Sequence, residues 1–202
     1  MTIVIATGNA HKVEEFNRLA ARERLDGVRF VSAKDAREQG MPPVVEDSGT
    51  FVRNARLKAR ALREVLPAGT LVMADDSGLC VDALGGNPGV ETAYYAGPQA
   101  TAEQNRAKLL GALKDVPAGK RGAHFYCCLL LIDADGNEQI FDARCFGEIA
   151  EREADAGFGF GYDPIFVPAG YDKTFAELAG TVKDKLSHRG NAFLKLCAFL
   201  KS

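Results

Sequence analysis

Thr2-Ile3-Val4-Ile5-Ala6-Thr7-Gly8-Asn9-Ala10-His11-Lys12 opens the chain with a change of hydrophobic period. Thr2 to Ala6 is a short apolar run without alternation, the pattern of a strand covered on both faces. Beyond Thr7-Gly8-Asn9 the apolar positions Val13, Phe16, Leu19 and Ala20 recur at helical spacing, and Lys12, Glu14, Glu15 and Arg18 fill the other side. This predicts a helix from Ala10 to Ala21 with Asn9 as its N-cap. A strand that runs through a glycine turn into an amphipathic helix begins an α/β unit.

Working outward, the same alternation continues. Val28 to Val31 reads as a second strand, and Pro42-Pro43 breaks the chain before Val44-Val45-Glu46-Asp47. Thr50 to Leu66 is a helix with the apolar stripe Phe51, Ala55, Leu62, Val65 and Leu66, closed by Pro67 and Gly69. Its arginines 53, 56, 60 and 63 read as a solvated face. Leu71 to Ala74 is a strand expected to end at Asp75-Asp76-Ser77-Gly78, and Gly85 to Gly89 is an irregular loop. Thr101 starts a helix to Leu113. Ala123 to Ile132 and Gln139 to Phe146 flank Asp133-Ala134-Asp135-Gly136-Asn137, the strongest hairpin signal in the chain. Gly157 to Pro164 is irregular, a short helix is expected at Thr174 to Leu178, and a last helix at Ser187 to Phe199. The order β-α-β-α-β-α-β-β-α describes one α/β domain over 1–202 with a mixed sheet, because a hairpin adds antiparallel pairing.

Composition excludes several classes. Apolar residues make up 47% and charged residues 26%, ordinary for a globular chain. Twenty-five basic residues balance twenty-seven acidic ones, so nothing global steers the protein onto nucleic acid or an anionic membrane. No signal segment or spanning stretch is evident, and the expected location is the cytoplasm. The five cysteines, at 80, 127, 128, 145 and 197, have no CxxC spacing and read as free thiols in apolar runs.

Four stretches carry candidate chemistry. Thr7-Gly8-Asn9-Ala10-His11-Lys12 places glycine, exposed helix N–H groups and a lysine where a phosphate can approach, although it is neither GxGxxG nor a Walker A loop. Asp75 and Asp76, with Glu46 after another apolar pair, offer oxygen ligands for Mg²⁺. Asp133 and Asp135 fall inside the hairpin turn and read as turn residues. Phe158 to Phe166 mixes glycines with aromatic rings suited to stacking on a planar base. Lys183, Lys185, His188 and Arg189 concentrate donors at a helix start.

With these motifs in hand, the chain resembles the inosine/xanthosine triphosphate pyrophosphatase family, also called the Ham1 family. The resemblance runs from Thr7-Gly8-Asn9-x-x-Lys12 through Thr50-Phe51-x-x-Asn54-Ala55, Ala74-Asp75-Asp76-Ser77-Gly78-Leu79 and Gly85-Gly86-x-Pro88-Gly89. It continues through Gly159 to Phe166 and Ala176-Glu177-Leu178 to Ser187-His188-Arg189-Gly190. The resemblance implies an elongated mixed β-sheet with flanking helices, forming two lobes around a central cleft, in a homodimer. It also implies hydrolysis of the α–β phosphoanhydride of ITP, dITP and XTP, giving the monophosphate and pyrophosphate and clearing deaminated purines from the nucleotide pool. Asp76 then matches the general base and a metal ligand, and Glu46 the second acidic metal residue, with Asp47 and Asp75 as their neighbouring alternatives. Thr7, Gly8, Asn9, Ala10, His11, Lys12 and Ser77 match triphosphate contacts. Phe160, Gly161, Tyr162, Asp163, Lys183, His188 and Arg189 match the remaining substrate segments. The sequence departs from the family pattern at Arg53, where an acidic residue is usual, and at Glu46-Asp47-Ser48-Gly49.

Elementary chemistry fits that role. Mg²⁺ would offset the triphosphate charge, Lys12 and Lys183 would hold the departing pyrophosphate, and Asp76 would orient or deprotonate water. Hypoxanthine and xanthine offer a 6-oxo acceptor where adenine offers a donor, so a donor aimed there rejects adenine. His188 or Arg189 is expected to read that oxygen, with Phe160 or Tyr162 stacking. A nucleotide pyrophosphatase of different base preference and a non-catalytic binding module are the competing classes.

Overall fold

The computed structural model describes residues 1–46, 48–154 and 160–202. Asp47, and with it Phe158 and Gly159 of the aromatic stretch, lie outside the described residues. Six strands form one sheet in the order β2-β1-β3-β4-β5-β6. β1 (Thr2–Ile5) pairs parallel with both β2 (Arg29–Ser32) and β3 (Leu71–Val81), so that Ile3 stands opposite Phe30 on one side and Leu71 on the other. β4 (Gly122–Ile132) and β5 (Glu138–Ile149) follow, and β6 (Phe166–Pro168) pairs antiparallel with β5. The sheet is mixed, as the hairpin signal predicts.

The residues group into two compact units. The first holds Met1–Asp76, Cys127–Ala143 and Arg189–Ser202, and the second Ser77–Tyr126 and Arg144–His188. In the first, α1 (Ala10–Arg22), α3 (Phe51–Glu64) and α6 (His188–Leu200, entering from Arg189) accompany the strands. Its core joins Ile3, Ile5, Phe16, Leu19, Phe30, Met73, Leu129, Phe193 and Leu196. Phe16, Phe30 and Phe193 meet there in a tilted triad with centroids 5.7–5.9 Å apart, a favoured aromatic geometry. The second unit contains α4 (Ala102–Ala112) and α5 (Gly180–Leu186). Its core joins Leu79, Val81, Leu109, Phe125, Tyr162, Phe166 and Phe175.

Asn9 caps α1 as expected, and Thr50 and Thr101 cap α3 and α4. Asn9 accepts the His11 N–H at 3.0 Å, Thr50 accepts the Arg53 N–H, and Thr101 forms a reciprocal box with Gln104. All five cysteines are free, four of them buried. No helix among the described residues is long and apolar enough to cross a membrane.

Three sequence expectations are corrected. β3 does not end at Ala74 but runs on through Asp75 and Asp76 to Val81, because each carboxylate meets cations and the strand has no need to break. Thr174 to Leu178 is a turn rather than a helix. Glu177 folds back to accept both the N–H and the hydroxyl of Thr174 at 2.8 Å, and the helix α5 starts only at Gly180. A four-residue helix, α2 (Ala33–Ala36), stands where none was expected, closed by a capping box between Ser32 and Asp35.

Candidate active site

Successive strand residues point to opposite faces, and Asp75 and Asp76 accordingly meet different partners. Asp75 Oδ2 receives Arg189 Nε at 2.9 Å and Lys12 Nζ at 3.2 Å. Its Oδ1 lies 3.7 Å from the Cys127 thiol. Arg189 Nη1 continues to Glu15 at 3.0 Å, so α1, β3 and α6 are tied by one charge chain. Asp76 Oδ1 receives Lys58 Nζ at 2.6 Å, and the same ammonium reaches Glu46 Oε2 at 2.9 Å and the Asp75 carbonyl at 3.1 Å.

Asp76 Oδ2 is buried and has no hydrogen-bond partner among the described residues. An ionised carboxylate oxygen in that position lacks its solvent shell, and burial pushes the Asp76 carboxyl up to about 6 against the pull of Lys58, with Glu46 and Asp75 pushing the same way. Burial works against the Lys58 charge in turn, but Asp76 and Glu46 hold its pKa above the ordinary value. The unit therefore keeps an acceptor poised beside a fixed cation.

The surrounding loops present this centre. Thr7 Oγ1 accepts the Asn9 N–H at 3.1 Å, shaping the turn before α1, and the space where a Cβ on Gly8 would stand is open. An oxyanion could come close to the backbone there. Ala10 and His11 are exposed, and the His11 ring lies 3.6 Å from Glu14. Glu46 is exposed, but its loop is tied down two residues later, where Ser48 donates its hydroxyl to Asn54 Oδ1 at 2.6 Å. Asn54 is buried on α3, so the helix anchors the loop that carries Glu46.

In the second unit, residues 160–163 form a tight turn around Gly161, whose φ of +60° is a left-handed conformation suited to glycine. Asp163 closes it, accepting the Phe160 N–H at 2.6 Å and the Lys183 ammonium. Phe160 is 78% exposed and presents a free aromatic face, whereas Tyr162 is buried at 4% and donates its hydroxyl to the Thr92 carbonyl at 2.9 Å. Of the two rings expected to stack on a base, Phe160 alone is available; Tyr162 belongs to the core. His188 lies flat against Phe125, centroids 4.8 Å apart and 11° from parallel. Ser77 is half-buried at the first position of this unit.

Arg189 also differs from expectation. Its Nε and Nη1 are taken by Asp75 and Glu15, so it braces the acidic strand rather than offering those donors to a base. The sequence reading missed Lys58 because it sits in the arginine-rich helix. Yet Ala55, Lys58 and Leu62 share one helical stripe, and a lysine on an apolar stripe is a lysine drawn inward. Two of the supposed surface arginines are engaged as well, with Arg56 and Arg60 both meeting Glu138 at 2.7 Å.

The donor set bears on a metal. Among the described residues no group of three or more His, Cys, Asp or Glu is disposed to hold one. Glu46 and Asp76 nevertheless converge on one ammonium, and both carboxylates are hard oxygen ligands. Two carboxylates suit Mg²⁺, which takes the rest of its shell from water and substrate phosphates.

A mixed α/β chain that buries an acid–lysine centre beside an open glycine turn has the make-up of a phosphate-handling enzyme. Residues 3–199 match the model of the Ham1 family. The chain is 54% identical over 197 residues to a dITP/XTP pyrophosphatase of Opitutus terrae, covering 97% of each. It is 45% identical to the dITP/XTP pyrophosphatase of Geobacillus kaustophilus, covering 96% of this chain and 91% of that one. Among solved structures, the Staphylococcus aureus Ham1 protein superimposes with a TM-score of 0.85 at 36% identity, covering 100% of this chain and 98% of its own. A HAM1 protein from Coxiella burnetii gives 0.87 at 34% identity, again covering 100% of this chain and 98% of that one. The chain belongs to the Ham1 family.

Proposed function

We propose that this protein hydrolyses the α–β phosphoanhydride of dITP, XTP and ITP, releasing the nucleoside monophosphate and pyrophosphate. As a Ham1 family member it is a hydrolase, and the names of its relatives support the substrate class. The observation that carries the mechanism is the buried Asp76 Oδ2, without a hydrogen-bond partner among the described residues and beside Lys58 and Glu46.

In this reading Asp76 is the base. Its Oδ2 accepts a proton as water attacks the α-phosphorus, a new P–O bond forms, and the bond to the pyrophosphate oxygen breaks. Lys58 fixes the carboxylate through Oδ1, so the free oxygen stays aimed. The N–H groups of the Thr7 to Lys12 turn and α1 bind phosphate oxygens, with His11 at the exposed edge and Ser77 as a further contact. Glu46 and Asp76 would hold Mg²⁺, which when bound offsets triphosphate charge and polarises the phosphoryl oxygens. Asp75 keeps Lys12 and Arg189 in place. Phe160 offers its face to the purine, Lys183 adds positive charge, Gly161 and Asp163 shape the turn, and His188 reads the 6-oxo group. The same reading takes the chain as one domain, acting as a homodimer in the cytoplasm on free nucleotide.

Product identification tests the proposal. Incubation with ITP and Mg²⁺, separated by anion exchange beside ATP and GTP controls, is expected to give IMP and pyrophosphate with the controls nearly untouched. IDP and orthophosphate would place the cut at the β–γ bond and overturn the mechanism.

A further inference from the structure

The turn at residues 160–163 carries the exposed Phe160 ring, and its geometry is held by an arginine from a helix with no part in the chemistry above. Arg106 lies on α4, whose first turn is fixed by the Thr101–Gln104 capping box. Its side chain is 13% exposed. From one guanidinium plane, Nη1 donates to the Gly161 carbonyl at 2.8 Å and Nη2 meets Glu153 Oε1 at 2.6 Å. Gly161 is the left-handed residue on which the turn pivots. Glu153 precedes Gly161 by eight positions, and the next residue, Ala154, donates its N–H to the Pro164 carbonyl at 2.9 Å.

We infer that Arg106 is a positioning residue for nucleotide recognition: by bridging Glu153 and the Gly161 carbonyl it fixes the direction in which Phe160 is presented. The inference rests on the proposed nucleotide site, since it assigns Arg106 a role through Phe160. The other restraints act within the turn at Phe160 and Asp163, and from outside it through Thr92 and Lys183. Asp163 bonds Phe160 and Tyr162 is anchored to Thr92, and these set its local shape. Arg106 adds the tie to α4, and it does so at the Gly161 carbonyl, next to the residue that carries the exposed ring. The guanidinium meets the carbonyl and the carboxylate from two nitrogens held in one rigid plane, a directional fork that the single rotatable ammonium of lysine reproduces only in part. Loss of such a hold does not alter the reacting groups, so it acts on substrate binding rather than on the chemical step.

The test compares the full-length chain with Arg106→Gln, Arg106→Lys and Glu153→Gln. Peptide-level hydrogen exchange is measured without ligand, and ITP kinetics with Mg²⁺. For Arg106→Gln, faster exchange confined to 160–163 is expected, with KM for ITP raised about tenfold and kcat within about twofold of the parent. Arg106→Lys should recover part of the loss, and Glu153→Gln should fall between, giving a folded comparison if Arg106→Gln does not accumulate. Unchanged exchange, or faster exchange with unchanged KM, overturns the inference. Exchange raised throughout the second unit together with a lowered Tm would also overturn it, because Arg106 would then be a general brace. A parent chain that turns over no nucleotide defeats the proposed function instead, and leaves the exchange result to be read separately.

Discussion

Two of the acidic pairs in this chain, Asp75-Asp76 and Asp133-x-Asp135, have opposite fates. Asp133 is satisfied by its own turn. Its Oδ1 accepts the N–H groups of Asp135 and Asn137 at 2.9 and 2.8 Å, and its Oδ2 accepts the Asn137 amide at 3.0 Å. Asp75 and Asp76 are buried in a strand, and their partners come from α1, α3 and α6, 18 positions away for Lys58 and 114 for Arg189. Donors from the turn hold the Asp133 carboxyl below the usual carboxylate range, while burial lifts Asp76 to about 6. A carboxylate that finds its donors within five residues is a structural device. One that must be charge-balanced from distant helices, and keeps an oxygen without a partner among the described residues, is equipped for chemistry.

The largest expected effect breaks that contrast at its centre. Asp76→Asn keeps the shape of the side chain but removes the acceptor charge, and kcat/KM for ITP should fall roughly a thousandfold. The matching change Asp133→Asn should leave kcat/KM within about twofold. Steady-state assays on both variants decide it, and an Asp76→Asn enzyme within tenfold of the parent would remove Asp76 from the base role. The next effect concerns stability. Lys58→Met leaves Asp76 and Glu46 without their shared cation, and urea unfolding should show a loss of about 3 kcal/mol. Adding Asp76→Asn to Lys58→Met should restore part of that loss, because one of the stranded charges is gone. A double variant as unstable as the sum of the two singles would mean that the lysine acts by packing alone.

The difference between the two pairs also explains what could be read from sequence. The Asp133 turn, the Asn9, Thr50 and Thr101 caps and the strand-to-helix opening are local, and each is visible in a window of a few residues. Membership of a mixed α/β fold followed from the same local patterns. Asp76, Glu46 and Lys12 were identifiable as residue types at suggestive places, but their partners were not. Lys58 was hidden among arginines, although its place on the Ala55–Leu62 stripe marked it as buried. Sequence gives the residue type and not the direction of the side chain, and Tyr162 and Arg189 show the difference. One turns its hydroxyl to Thr92, and the other places its guanidinium between Asp75 and Glu15. An acidic pair resembles a strand end until the cations that neutralise it are known, and β3 runs on through it to Val81.

The smallest effect sharpens the comparison from the other side. The Asp133 carboxyl is held below its ordinary value of 3.8 chiefly by Asn137, through its side-chain amide and its backbone N–H. A group whose folded pKa is depressed contributes stability that is complete above the unfolded value and disappears as pH falls through the folded one. Asp133→Asn should therefore lower Tm at neutral pH, and the gap from the parent should close as pH is taken below 3.8. Thermal melts of both chains over that range provide the check. A gap that stays constant down the series would show that the turn draws nothing from the carboxylate charge, and that Gly136, at φ +91°, and the backbone bond from Asp133 to Asn137 are enough to close it. The acidic pair of the turn would then differ from the pair in β3 in having no electrostatic part at all.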